Sequence, residues 1–276
     1  MTDLLLQGSN IAVAFFVVSS TLAVGLSLTA SQILAPLKNI RLVALSLAAN
    51  FVLAPLVAFG LWRVFGLDEP LGIGLLLCGL AAGAPFLIKL AEFAKADMAF
   101  AVGLMVLLMV VTVGYVPLVL PVFVAGTAVN PAQIAVSLVV LMLIPLAVGL
   151  AMRARGPGVA VRIQPVVAKI STISMILVIV LTTAAHFNSV LSVFGTFGIL
   201  AAVVYTVICA GIGWLLGGSA ARDVLALGTA QRNAAAAFVV AGQNFDDPKV
   251  VVMITVVLIV EFLMLLPFAR RLARSR

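Results

Sequence analysis

Apolar residues run along this chain in long continuous stretches, interrupted by short polar or basic breaks. Neither the strict alternation of barrel strands nor the one-sided stripe of a soluble helix is present. A helix needs about 20 apolar residues to cross about 30 Å of hydrocarbon. Runs of that kind fall near 10–30, 41–62, 71–93, 98–125, 132–152, 166–186, 195–217, 223–243 and 249–269. The pattern therefore predicts an all-α polytopic membrane protein with about nine transmembrane helices. The first run is too long for a removable leader and lacks its basic start and small-residue cleavage pattern, so it reads as the first span.

Two of the runs are broken inside. The third carries Gly83-Ala84-Pro85-Phe86, and the eighth carries Gly228-Thr-Ala-Gln231-Arg232-Asn233. At Pro85 a backbone donor is lost and the preceding residue is pushed away from helical geometry. Backbone groups freed at membrane depth need protein, water or ligand to satisfy them. If about nine spans alternate in direction, the two broken runs cross in opposite senses, as in a carrier built from inverted repeats. The chain then reads as one transporter domain over 1–276, with a first repeat of four spans ending near 126 and a second of five spans from about 131, joined at Ala125-Gly-Thr-Ala-Val-Asn-Pro131. Two half-helix amino ends facing one cavity would offer free N–H groups and partial positive charge to a carboxylate.

Four charged residues stand out inside the spans: Lys89, Glu92, Arg232 and Glu261. Insertion of each charge costs on the order of 2.5–3.5 kcal/mol, so such residues pair with one another or line a pathway. Lys89 and Glu92, three apart, can pair on one helix face. Arg232 follows the second break and is the expected partner of Glu261 in the last span. The expected substrate site comprises Gly83, Ala84, Pro85, Phe86, Lys89, Gln231, Arg232 and Asn233, with Asn50 nearby. Lys89, Glu92, Arg232 and Glu261 are the coupling or charge-pair candidates.

Composition agrees, with 64% hydrophobic and 9% charged residues. The net charge of +7 follows from basic loops beside anionic headgroups and needs no nucleic acid. Lys38, Arg41, Lys95, Arg153, Arg155, Arg162, Lys169, Arg222, Arg270, Arg271, Arg274 and Arg276 fall on one side of the alternating spans. Asp3, Asp68, Glu69, His186, Asp246 and Asp247 fall on the other, with Arg63 and Lys249 as basic exceptions. Positive loops face the cytoplasm, which predicts an outer amino terminus and a cytoplasmic carboxyl terminus. Cys78 and Cys209 read as small core residues and His186 as a structural interfacial residue. The glycine pairs Gly79/Gly83 and Gly213/Gly217 read as helix packing. No nucleophile with its base, paired carboxylates or metal cluster emerges, so neither an enzyme, a cofactor nor a bound metal is expected.

The chain resembles the bile acid:sodium symporter family, bacterial members included. The resemblance rests on Gly25-Leu-Ser-Leu-Thr29, Asn50-Phe-Val-Leu-Ala-Pro55, the crossover after Cys78, and Gly228-Thr-Ala-Gln-Arg-Asn233, the most specific of the set. It implies panel and core domains, two crossing discontinuous helices, the nine-span form that lacks the first helix, and alternating-access transport of organic anions across a bacterial inner membrane. It also implies two sodium ions at the crossover. Leu87, Ile88, Ala101, Met105 and Leu227 stand where the family carries oxygen ligands, and only Asn50 and Gln231 keep amide oxygens. The expected function is thus sodium-independent transport of a small or amphipathic organic anion, facilitative or proton-linked, with Lys89 and Arg232 standing in for the ions. The alternatives are an ordinary sodium/organic anion symporter and a non-transporting ligand-binding receptor. A metalloid carrier has only Cys78 in its favour.

Overall fold

The computed structural model describes residues 2–34, 38–124 and 129–274. Residues 125–128 of the expected connector and the terminal Arg276 lie outside the described residues. Everything described is helix, turn or loop, with no strand among the described residues.

Helix α1 (Thr2–Ser27) is followed by the short α2 (Ala30–Leu34), then by α3 (Ile40–Ala48) and α4 (Ala54–Val64), which a π turn over Ala49–Leu53 joins into one span. Next come α5 (Glu69–Leu80) and α6 (Leu87–Phe93), separated by the first break, and α7 (Met98–Phe123). A second π turn, Val139–Leu143, joins α8 (Pro131–Leu138) to α9 (Ile144–Arg155). Then follow α10 (Pro157–Ala185), the short α11 (Phe187–Phe194) and α12 (Gly198–Leu216). The second break divides α13 (Gly218–Ala230) from α14 (Ala234–Asn244), and α15 (Pro248–Arg274) ends the chain. Polar residues cap several of these starts: the Asn39, Asp97 and Asn130 side chains accept from backbone N–H groups of α3, α7 and α8.

Eight of the described helices or joined helices are long and apolar enough to span a membrane. The remaining expected crossing is the broken α5–α6 segment, whose pieces are each too short. The eighth expected span crosses as one, Ala221–Asn244, its two halves adjoining closely in sequence. The sixth span begins at Pro157 rather than near 166, since Pro at the first helical turn is well tolerated.

Two groups of helices result. One packs α1 against α9 and α10, with a Ser9–Thr182 hydroxyl hydrogen bond of 3.0 Å across α1 and α10. In the other, α5 lies between α4 and α15, and α12 packs on α13 and α15. Helix α14 touches both, the first through α1 and the second through α5 and α15, and Ser137 of α8 donates to Gln243 at its end. The apolar window of Ala221–Asn244 is entirely buried, against 22% for Pro157–Ala185, so the second broken helix is central and α10 is peripheral. Its second half, α14, opens with the small residues Ala234, Ala235, Ala236 and Ala237, buried on every side, which let neighbouring backbones come close.

Candidate functional site

The two breaks meet at the centre of the molecule and are hydrogen-bonded to each other. Leu80 ends α5, Ala81 closes it with an N–H bond to the Leu77 carbonyl at 3.0 Å, and the chain then leaves helical geometry until α6 starts at Leu87. Gly83 has φ of 80°, and a Cβ there would lie 2.2 Å from the Met109 nitrogen of α7, so only glycine fits. Thr112 of α7 serves the exposed backbone of this break twice: its Oγ1 accepts from Ala82 N–H at 2.9 Å and donates to the Ala82 carbonyl at 3.0 Å. At the second break the Asn233 N–H donates to the Ala81 carbonyl at 2.9 Å, and Asn233 Nδ2 donates to the Gly83 carbonyl at 3.1 Å. Asn233 Oδ1 also caps α14 by accepting from Ala236 N–H at 3.1 Å.

Arg232 is 1% exposed and stands inside this crossing. Its Nε donates to the Cys78 carbonyl at 2.9 Å and its Nη2 to the Gly79 carbonyl at 2.7 Å, both in the last turn of α5. Nη1 donates to Asn50 Oδ1 at 2.8 Å and to the Thr229 carbonyl, in the last turn of α13, at 3.2 Å. The guanidinium thus collects the negative ends of two half-helices. The Asn50 carbonyl is a further acceptor, 3.4 Å from Nη2. That carbonyl is free for a local reason. In the π turn its partner would be the nitrogen of Pro55, which has no hydrogen, and an α-type bond from the same nitrogen to the Phe51 carbonyl is equally impossible. Arg232 takes the first orphan and the Tyr115 hydroxyl takes the second. Asn50 itself is fully buried, its Nδ2 donating to the Ser46 carbonyl and to Thr229 Oγ1.

Glu261 is buried as well, and the expected Arg232–Glu261 pairing takes a different form. The Arg232 backbone N–H donates to both carboxylate oxygens at 3.1 Å, while the guanidinium points to the carbonyls. The reason is position: the carboxylate of α15 reaches the amino end of α14, where free N–H groups attract an anion, and the long Arg side chain reaches the opposite helix ends. The carboxylate seat expected at that amino end is filled by the chain itself.

The remaining predicted residues separate into buried and accessible sets. Ala84 is buried with Gly83, whereas Pro85, Phe86 and Ile88 are half-buried. Phe86 packs edge-on against Phe262, ring centroids 4.7 Å apart. Lys89 is on the surface, its side chain 61% exposed, paired with Glu92 at 2.7 Å as their spacing predicted, and it does not join the Arg232 cluster. Gln231 is buried and its Oε1 has no hydrogen-bond partner. Leu87, Ala101, Met105 and Leu227 are all packed in the core. A Cβ on Gly228 would meet Leu87 at 3.0 Å and Leu104 at 3.1 Å, so hydrocarbon fills this side of the crossing. Away from the spans, His186 is held below its ordinary pKa by partial burial.

Sequence reasoning did not single out Thr112 or Tyr115. Thr112 was readable as the lone hydroxyl in an otherwise apolar stretch of α7, and Tyr115 as a polar tip one turn later.

Two broken helices crossing inside an all-helical, membrane-spanning bundle define a membrane transporter. The sequence model of the Sodium Bile acid symporter family matches residues 14–193, more than half of the chain. The protein belongs to that family, whose members are membrane transporters, typically of bile acids or organic anions, rather than enzymes. The match stops before α13, so the second break is located by its geometry. No curated protein matches the chain.

Proposed function

We propose that the protein carries a small or amphipathic organic anion by alternating access, without sodium. The observation that carries this reading is the Arg232 guanidinium, a sealed and permanent cation on the Cys78, Gly79 and Thr229 carbonyls. A positive charge is wanted where the carboxyl ends of two half-helices converge. Here the chain supplies it, and Leu87, Leu104 and Leu227 fill space with groups that cannot ligate a hard cation. In this reading Asn50, Arg232 and Asn233 are the frame of the site. The substrate lies against the open face of the first break, at Pro85, Phe86 and Lys89, and a hydroxyl or N–H group on it donates to Gln231 Oε1, the acceptor with unused hydrogen-bonding capacity. The α1, α9 and α10 group acts as panel and the crossing helices as core, with the halves related as inverted repeats. Transport is facilitative, or proton-linked if Glu261 exchanges a proton. The protein sits in a bacterial inner membrane with its carboxyl terminus in the cytoplasm.

The unpartnered Gln231 Oε1 favours a second reading, an ordinary sodium symporter, because an amide oxygen can ligate sodium. Thermal unfolding of the purified protein with a panel of organic carboxylates, in sodium chloride and in potassium chloride of equal strength, separates the two. Stabilisation by a carboxylate in both salts supports the proposal. Stabilisation by sodium alone overturns it.

A further inference from the structure

A groove of about 610 Å³ opens on the outer side of the bundle between α12 and α15. Its walls include Ala210, Gly211, Trp214 and Leu215 from the carboxyl half of α12, and Met264 and Phe268 from the carboxyl half of α15. The volume falls in the range of about 300–1,000 Å³ typical of ligand sites. A Cβ on Gly211 would meet nothing within 4 Å, and Leu215 is 73% exposed, so the groove is open to the surrounding hydrocarbon.

The two helices lie with their carboxyl halves side by side, so the first turns of α13 and the basic end of α15 share one end of the groove. The Gly217–Gly218 turn carries the chain back from α12 into α13 and sets the Arg222 guanidinium 5.4 Å from the Trp214 ring. Arg222 keeps its side chain 48% exposed despite Asp223 at 4.0 Å. Arg271 and Arg274, both exposed, extend the last turns of α15 beyond Phe268, while Arg270 stacks over Phe93. The groove is apolar along its length, an indole lies near one end, and guanidinium groups lie beyond it. An indole seeks the headgroup level, and basic groups between spanning helices bind acidic headgroups.

We propose that this groove is a binding site for one anionic phospholipid, its acyl chain along Gly211 and Phe268 and its phosphate against Arg222 and Arg271. The site is independent of the transport reading. It bears on the crossing all the same, because α15 carries Glu261 one turn before Met264, and a lipid seated here braces α12 against α15.

The test is the thermal midpoint of delipidated protein in neutral detergent, titrated with phosphatidylglycerol or with phosphatidylcholine of identical chains. Phosphatidylglycerol is expected to raise the midpoint by several degrees more than phosphatidylcholine. Arg222→Gln with Arg271→Gln removes that difference, and Gly211→Leu, which fills the groove without a clash, removes the gain from either lipid. Both changes lie at exposed positions, so folding is retained. Equal shifts from the two lipids, or a phosphatidylglycerol preference that survives both changes, overturn the proposal. A Gly211→Leu protein that loses a dimer mass seen by light scattering in the wild type also overturns it, and gives the groove to a second copy of the chain.

Discussion

The Arg232 Nη1 group lies 2.8 Å from Asn50 Oδ1, which ties the second break to the second span across most of the chain's sequence. Asn50 is held in turn by Thr229 Oγ1 and the Ser46 carbonyl. The crossing therefore closes on itself through the protein's own side chains and backbone carbonyls.

Replacing Arg232 with Gln leaves the Cys78, Gly79 and Asn50 acceptors buried and short of donors. Each orphaned group costs about 1–3 kcal/mol, so a total loss on the order of 3–5 kcal/mol is expected. If Arg232 occupies a cation's place, sodium should partly restore the variant's thermal midpoint while leaving the wild type unmoved. Midpoints in sodium and potassium chloride read this directly, and an Arg232→Gln protein equally stable in both would remove the basis for the substitution.

Glu261→Gln retains an oxygen facing the Arg232 N–H, and a modest stability loss of about 1 kcal/mol is expected. Substrate exchange across proteoliposomes should persist, because the group serves to hold the Arg232 N–H at the second break. Glu261→Leu leaves that N–H unpaired and should cost about 1–3 kcal/mol. Loss of pH-gradient-driven uptake in Glu261→Gln, with exchange intact, would instead make this carboxyl the proton carrier.

Gly83→Ala should abolish folded protein. The added methyl combines a positive φ with a 2.2 Å approach to the backbone of α7, which no side chain can yield to. Gly60→Ala, where a Cβ meets nothing within 4 Å, is the matched control and should express as the wild type does. Fluorescence size-exclusion profiles of the two suffice.

Lys89→Ala breaks an exposed pair, and such pairs are worth about 0–1 kcal/mol. Its stability should be nearly that of the wild type. A fall in organic-anion affinity at constant stability, measured by isothermal titration, then reports a direct contact. Unchanged affinity excludes Lys89 from the substrate site.

The spans, the two breaks and the Lys89–Glu92 pair were legible because each depends on local sequence: run length, Pro85 in an apolar stretch, a spacing of three. What the Arg232 side chain meets was not, since apart from Asn50 Oδ1 its acceptors are backbone carbonyls, of residues 50, 78, 79 and 229, and a carbonyl is the same in every residue. Pairing it with Glu261 by charge alone missed that its own N–H was the nearer donor. The role of Asn50 depends on the π turn before Pro55, which propensity does not reveal. Thr112 could be noticed in the sequence, but its two bonds to Ala82 appear only once α7 lies against the break.

A tethered guanidinium also sets the electrical character of the carrier. A mobile co-ion crosses with its substrate and offsets its charge, whereas Arg232 belongs to the loaded and the empty protein alike. Under the proposed reading, a monovalent anion then moves as a net negative charge. Each 100 mV of membrane potential weighs on that charge by about 2.3 kcal/mol. In the facilitative case an interior-negative potential would push such a substrate outward, and the current it carries would reverse with the imposed voltage, whereas a co-moving proton would cancel that current.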